Sequence, residues 1–259
     1  MKIFEYSQIG EFHLNHNEDH SVICEIGKNK MLIAVMDGCT MGEESHFASS
    51  LIGKILRKIS KVKYYQEFIE KSDEGLMEIQ QEVLRKLFID LREVKNYLDL
   101  ERNELLSTLI LGIVDFRLRE SELIAIGDGL IMYNGEKEEY EQDNKPDYLG
   151  YHLNECFDDW YEKQKQKLSL SSLSDLSLST DGIFSFKQFD PEKSDLIEEQ
   201  AIIENLLQRR IEKDESNILK KEVIKIEKRY GYKPSDDLTI IRMIFDEQND
   251  SKDVVIVNS

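Results

Sequence analysis

Cationic side chains are scarce in this chain of 259 residues: 34 Lys and Arg stand against 52 Asp and Glu, a formal net charge of −18. That balance argues against nucleic acid as the main partner, because phosphate binding needs a basic footprint. It disfavours an anionic membrane surface for the same reason. Cysteine is scarce too. Cys24, Cys39 and Cys156 are odd in number and scattered, which gives neither a disulfide framework nor zinc-ligand spacing. Long apolar runs are missing: no stretch approaches membrane-spanning length, and the opening Met-Lys-Ile-Phe-Glu-Tyr has no signal core. These absences lead us to expect a soluble cytoplasmic protein with no nucleic-acid or membrane partner. What is present suffices for a fold, since 40% hydrophobic residues can build a sizeable core.

The most informative stretch is residues 31 to 38, where Met-Leu-Ile-Ala-Val-Met runs into Asp37 and Gly38. Six apolar residues bounded by turn chemistry predict a strand buried on both faces. A buried strand holds its last side chain in a fixed place, as a metal ligand or catalytic acid requires. The pattern recurs at Asp128-Gly129 and Asp181-Gly182, and Asp236-Asp237 opens the apolar run 238–245. A single Asp-Gly pair is a common hairpin turn. Several on strongly apolar strands carry more weight.

Strands are also expected at 2–9, 20–27, 105–114, 122–126 and 130–133, the last running into the hairpin signal Asn134-Gly135. Helices are expected from Phe47 to Ile59, over 73–98, over 192–212 and over 214–230, the last stopped by Gly231. Glu43 and Glu44 would sit in the first turn of the first helix, where the macrodipole favours acids. The later half of the serine-rich run 169–179 alternates with leucine and reads as a strand, and 254–257 reads as an added edge strand. The charged, tyrosine-rich stretch 136–167 yields no clear element. With no repeat and no linker, the whole chain 1–259 reads as one α+β domain with mainly antiparallel sheets.

In chain order the candidate metal ligands are Glu18, Asp19, Asp37, Asp128, Asp181, Asp236 and Asp237. A carboxylate-rich set without cysteine suits Mg²⁺ or Mn²⁺ better than zinc. Two divalent ions would relieve the repulsion among clustered carboxylates and could make a hydroxide nucleophile from bound water at neutral pH.

These residues resemble the metal-dependent type 2C protein phosphatases. The matching segments are Asn17-Glu18-Asp19, Asp37-Gly38, Ser107-Thr108, Gly127-Asp128, Ser179-Thr180-Asp181-Gly182 and Asp236-Asp237-Leu238-Thr239, in the family's order. The resemblance implies a four-layer α-β-β-α sandwich, two mainly antiparallel sheets flanked by helices. It implies that Asp37 bridges two Mn²⁺ or Mg²⁺ ions and that Asp181 and Asp236 hold one of them. Glu18 and the Gly38 carbonyl would serve the other largely through water, with Asp19 close by. Asp128 matches an aspartate that in some members helps hold a third, weaker ion. Asp237 falls where the family usually has asparagine, so its role is supporting. The implied reaction is hydrolysis of phosphoserine or phosphothreonine in a protein substrate, without a phosphoenzyme.

Three departures stand beside the resemblance. Many members carry an arginine shortly before Asn-Glu-Asp; this chain has His13-Leu14-Asn15-His16 there. His13 and His16 are the candidate phosphate ligands, although imidazole lacks the bidentate fork of arginine, and exposed loop histidines are the plain alternative. Cys39 occupies the place of a histidine proposed as general acid in some members, and reads as a buried structural cysteine. The glycine-rich stretch after Asp-Gly is altered at 40–45. A non-catalytic relative that holds metal and binds a partner is therefore the competing expectation. A metal-dependent nuclease shares the carboxylate logic but not the acidity or the motif order. Specificity would lie near 136–167 and 183–195.

Overall fold

The computed structural model describes residues 1–39, 44–70, 74–142, 146–209, 217–245 and 255–258. Its strands are β1 (Lys2–Gln8), β2 (His20–Gly27), β3 (Lys30–Met36), β4 (Leu109–Asp115), β5 (Glu120–Ile126), β6 (Gly129–Tyr133), β7 (Glu136–Tyr140), β8 (Lys167–Leu170), β9 (Asp175–Ser179), β10 (Phe186–Gln188), β11 (Tyr232–Pro234), β12 (Leu238–Ile244) and β13 (Val255–Asn258). Its helices are α1 (Ser45–Glu70), α2 (Leu76–Leu98), α3 (Phe157–Lys163), α4 (Glu199–Leu207) and α5 (Ile218–Tyr230). The fold is α+β, and the chain forms two compact units. One, central in the sequence, takes 18–128 and 140–172; the other, the terminal unit, takes 1–17, 129–139 and 173–259.

In the central unit the strands lie in the order β2-β3-β4-β5-β8, all antiparallel. Every residue of β3 is buried, as its unbroken apolar run predicts. Successive side chains leave a strand on opposite faces. Leu32, Ala34 and Met36 accordingly share one core with Ile52, Leu56 and Ile59 of α1 and Ile79, Val83 and Leu87 of α2. The illegible stretch supplies α3, whose Trp160 ring packs 4.5 Å from Phe88 and is almost wholly buried. Burial of that indole fixes a segment that local periodicity could not.

In the terminal unit the order is β13-β1-β12-β9-β6-β7. Neighbours run antiparallel through β1, β12, β9 and β6, while β13 adds to β1 in parallel at the edge. Phe4, Tyr6, Leu130, Leu238 and Ile240 meet Ile202, Ile203 and Leu206 of α4 and Val223 and Ile226 of α5 in one core. Arg242, buried on β12, is tied by its guanidinium to Asp175 at 2.8 Å and to the carbonyls of Leu206 and Arg209. A separate two-stranded ribbon pairs β10 with β11.

Several expected boundaries differ. The strand expected from residue 105 begins at Leu109, because 103–105 form a 3-10 turn. Among the described residues, the helix expected over 192–212 is confined to α4; before it only Ile197 packs against the core, while Leu196 is exposed. Residues 210–216, where one helix was to end and the next begin, lie outside the described set, as do 73 and 254. Glu43 and the altered segment 40–43 also lie outside it. Glu44 precedes α1, whose first turn carries no acid. Strands β8, β10 and β11 were not anticipated.

Candidate metal centre

Within the central unit, Asp37 follows β3 and is held through its backbone. Its N–H donates to Thr108 Oγ1 at 3.1 Å, and its carbonyl accepts from the Thr108 N–H at 2.9 Å. Next along, the Gly38 N–H donates to the Glu18 carbonyl at 3.1 Å, and Ser49 Oγ donates to the same carbonyl at 2.5 Å. Gly38 has no room for a side chain, because a Cβ there would lie 2.2 Å from the Ser45 carbonyl oxygen. Glu18 and Asp19 are buried, whereas the Asp37 and Asp128 residues are only partly so.

Cys39 and Tyr148 join this group. Cys39 is buried beside Leu106, Tyr148 and Tyr151, in line with the structural role expected of it. Burial, a hydrogen bond shared with Cys39 and the charges of Asp37 and Asp128 push the Tyr148 hydroxyl well above the usual phenol range. Tyr148 therefore stays neutral beside two carboxylates. Nothing in its local sequence marks this role. All three cysteines are free.

In the terminal unit, Asp181 starts a short 3-10 turn after β9, and Asp236 lies between β11 and β12. Three hydrogen bonds to Ser185 fix the second segment: the Asp236 N–H donates to Ser185 Oγ at 3.1 Å, and the Ser235 N–H and Oγ donate to its carbonyl at 3.0 and 2.9 Å. Gly182 is again a position of contact, since a Cβ would fall 1.8 Å from the Asp237 carbonyl oxygen. The carboxylates of Asp236 and Asp237 have opposite settings, 47% and 1% exposed. Asp237 Oδ1 accepts from the Gly10 N–H at 2.7 Å. Its Oδ2 lies 3.0 Å from His13 Nδ1. His13 Nε2 is 3.4 Å from Asp236 Oδ1. Asp237 thus ties the loop carrying His13 to the segment carrying Asp236. His16 is exposed.

The donors are oxygen atoms throughout, which fits hard cations of the Mg²⁺ or Mn²⁺ type. Glu18, Asp19, Asp37, the Gly38 carbonyl and Asp128 come from one unit, and Asp181 and Asp236 from the other. Among the described residues, no three His, Cys, Asp or Glu side chains are gathered tightly enough to hold an ion by themselves.

A family model for protein phosphatase 2C matches residues 11–223. The chain belongs to the protein phosphatase 2C family. Solved structures of family proteins resemble it in fold. Serine/threonine phosphatase Stp1 from Staphylococcus aureus superposes at TM-score 0.61 with 12% identity, over 94% of either chain. The phosphatase domain of SpoIIE from Bacillus subtilis, with a fragment of its regulatory domain, gives TM-score 0.57 and 17% identity, over 96% of this chain and 64% of that one. RsbX in complex with magnesium gives TM-score 0.50 and 14% identity, over 92% of either chain. A search of curated proteins finds no match. No helix among the described residues is long and apolar enough to cross a membrane.

Proposed function

We propose that this protein phosphatase 2C family member is a cytoplasmic, metal-dependent hydrolase of phosphoserine or phosphothreonine in a protein substrate. The observation that carries the reading is the rigid seating of the family's carboxylates, above all Asp37, whose backbone is bonded twice to Thr108. An all-oxygen donor set kept on fixed segments suits bound Mn²⁺ or Mg²⁺. A magnesium complex of RsbX accords with that choice. When bound, such ions supply neutralising charge and acidify water enough for it to attack at neutral pH.

Asp37, Asp181, Asp236, Glu18, Asp19 and the Gly38 carbonyl are the residues that would hold such ions. Asp128 would contribute to a third, weaker position. Asp237 is assigned to positioning instead, because its oxygens face Gly10 N–H and His13. His13 orients Asp236 and offers its ring edge to an arriving phosphate, with exposed His16 nearby in sequence as a second contact. Tyr148, kept neutral, can donate a hydrogen bond without adding charge.

The test pairs Mn²⁺ calorimetry with hydrolysis of an aryl phosphate. Turnover that needs added metal and disappears with a chelator is the expected outcome. Protein that binds Mn²⁺ but hydrolyses no phosphoester would overturn the proposal. It would favour a metal-binding interaction module, a reading supported by the lack of arginine in 13–16 and by the engagement of His13 with carboxylates.

A further inference from the structure

The loop that carries His13 also carries an apolar surface for which the metal chemistry has no use. Residues 10–13 run beside β11: the Glu11 N–H donates to the Pro234 carbonyl and the Phe12 N–H to the Ser235 carbonyl, each at 3.0 Å. On its other side β11 pairs with β10, which sets Lys187 opposite Lys233. Three short segments thus make a platform that ends at Asp236. On it stand Phe12, 63% exposed, and Phe189, 37% exposed. Their rings meet edge to face with centroids 5.8 Å apart. The Lys187 ammonium lies 4.9 Å from the centre of the Phe12 ring. Leu14, 90% exposed, extends the apolar surface along the loop.

Folding gains little from aromatic rings left in water, while rigid aromatic pairs give large contact area at low entropic cost. The charges indicate the occupant. Lys233 is matched by Glu11 at 2.9 Å and Glu227 at 3.4 Å. Lys187 has no carboxylate partner among the described residues, in a chain of net charge −18. An exposed cation over an aromatic pair, beside the carboxylates assigned to phosphate chemistry, suits an anionic chain segment. Among the described residues, strand β10 also has a strand neighbour on one side only, which leaves an edge to which an extended peptide can bond.

We propose that Phe12, Phe189 and Lys187 form a docking subsite for the stretch of a phosphoprotein that flanks its phosphorylated residue. An apolar side chain of that stretch rests on the two rings, and Lys187 draws the anionic segment in. The inference rests on the phosphatase reading of Asp236 and its companions, and deepens it into a substrate preference.

The experiment uses the full chain with Mn²⁺ and two fluorescent phosphoserine peptides of equal net charge, one flanked by leucine and one by serine. Binding is followed by anisotropy, turnover as kcat/KM, and folding of each variant by thermal melting. Wild-type protein should favour the leucine peptide by about tenfold, the weight of a modest aromatic hot spot. Phe12→Ser and Phe189→Ser should each bring that preference to within about twofold while aryl-phosphate hydrolysis stays unchanged. Lys187→Gln should weaken both phosphopeptides alike and flatten their salt dependence. Equal binding of the two peptides by wild type, or a preference that survives both Phe variants, would overturn the subsite. So would concentration-dependent dimerisation that the Phe variants abolish, which would make the rings a self-contact. If no phosphoester is turned over, the phosphatase reading fails and the anisotropy preference still decides the subsite.

Discussion

The two units fix their carboxylates by different means. In the central unit, Asp37 and Gly38 are pinned by backbone bonds to Thr108 and Glu18 at the end of a wholly buried strand. In the terminal unit, backbone bonds hold the neighbouring Ser235, but Asp236 itself is fixed through side chains: its N–H donates to Ser185 Oγ, and Asp237 links it to Gly10 and His13. A backbone-held donor tolerates changes around it, because no single side chain carries its position. A side-chain-held donor depends on each member of its network, and that network is where sequence change can retune the site.

The sharpest challenge to this contrast removes the donors themselves. Asp37→Asn and Asp181→Asn should each lower metal-dependent aryl-phosphate turnover by about a hundredfold or more, since loss of a charge that holds an ion forfeits several kcal/mol. A variant that keeps wild-type rate would break the equivalence of the two units. Next come the close contacts. Gly38→Ala and Gly182→Ala force a Cβ against backbone oxygen in either unit, and each should cost about 2–3 kcal/mol in urea unfolding.

The decisive comparison is Asp237→Ala against Thr108→Val. Asp237→Ala strands the buried Gly10 N–H and takes one of two carboxylates from His13, at about 2 kcal/mol, and should weaken Mn²⁺ half-saturation of activity. Thr108→Val removes the acceptor of the Asp37 N–H, leaves the bonds of the Asp37 carbonyl and the Gly38 N–H, and should cost about 1 kcal/mol with little change in half-saturation. Equal shifts in metal dependence from both would erase the distinction. The smallest effect is one of pH in the central unit. Burial lowers the His152 pKa, but hydrogen bonds and charge from Glu155 and Asp147 outweigh it and hold the group above its ordinary value. The stabilisation is complete below the unfolded value of about 6.5 and is lost as pH rises through the higher folded value. His152→Gln should therefore flatten the decline in thermal stability above about pH 6.5.

What the sequence made legible follows the range of the forces involved. An unbroken apolar run such as Met31–Met36 states its own burial, so β3 and the place of Asp37 could be read directly. The stripe on α2 is equally local. Strands of three residues carry no periodicity, and the partners of β10 and β11, Phe186 against Pro234, are remote in sequence. Asp237 reads as one more acid beside Asp236, because the groups that define it, Gly10 and His13, lie at the opposite end of the chain. Leu196 keeps a helical spacing yet stays in solvent, and Ile197 beside it makes the core contact instead, outside any helix.

The six-stranded sheet closes its two margins differently. β7 is guarded by the charged run Glu136, Lys137, Glu138 and Glu139, which discourages pairing with another chain. β1 carries Ile3 and Phe4 and lacks that protection; β13 lies along it instead. A form of the protein cut after Phe245 would present the bare edge of β1, with Ile3 and Phe4 between Lys2 and Glu5, to its neighbours. Its solubility, rather than its chemistry, would then depend on those last four paired residues.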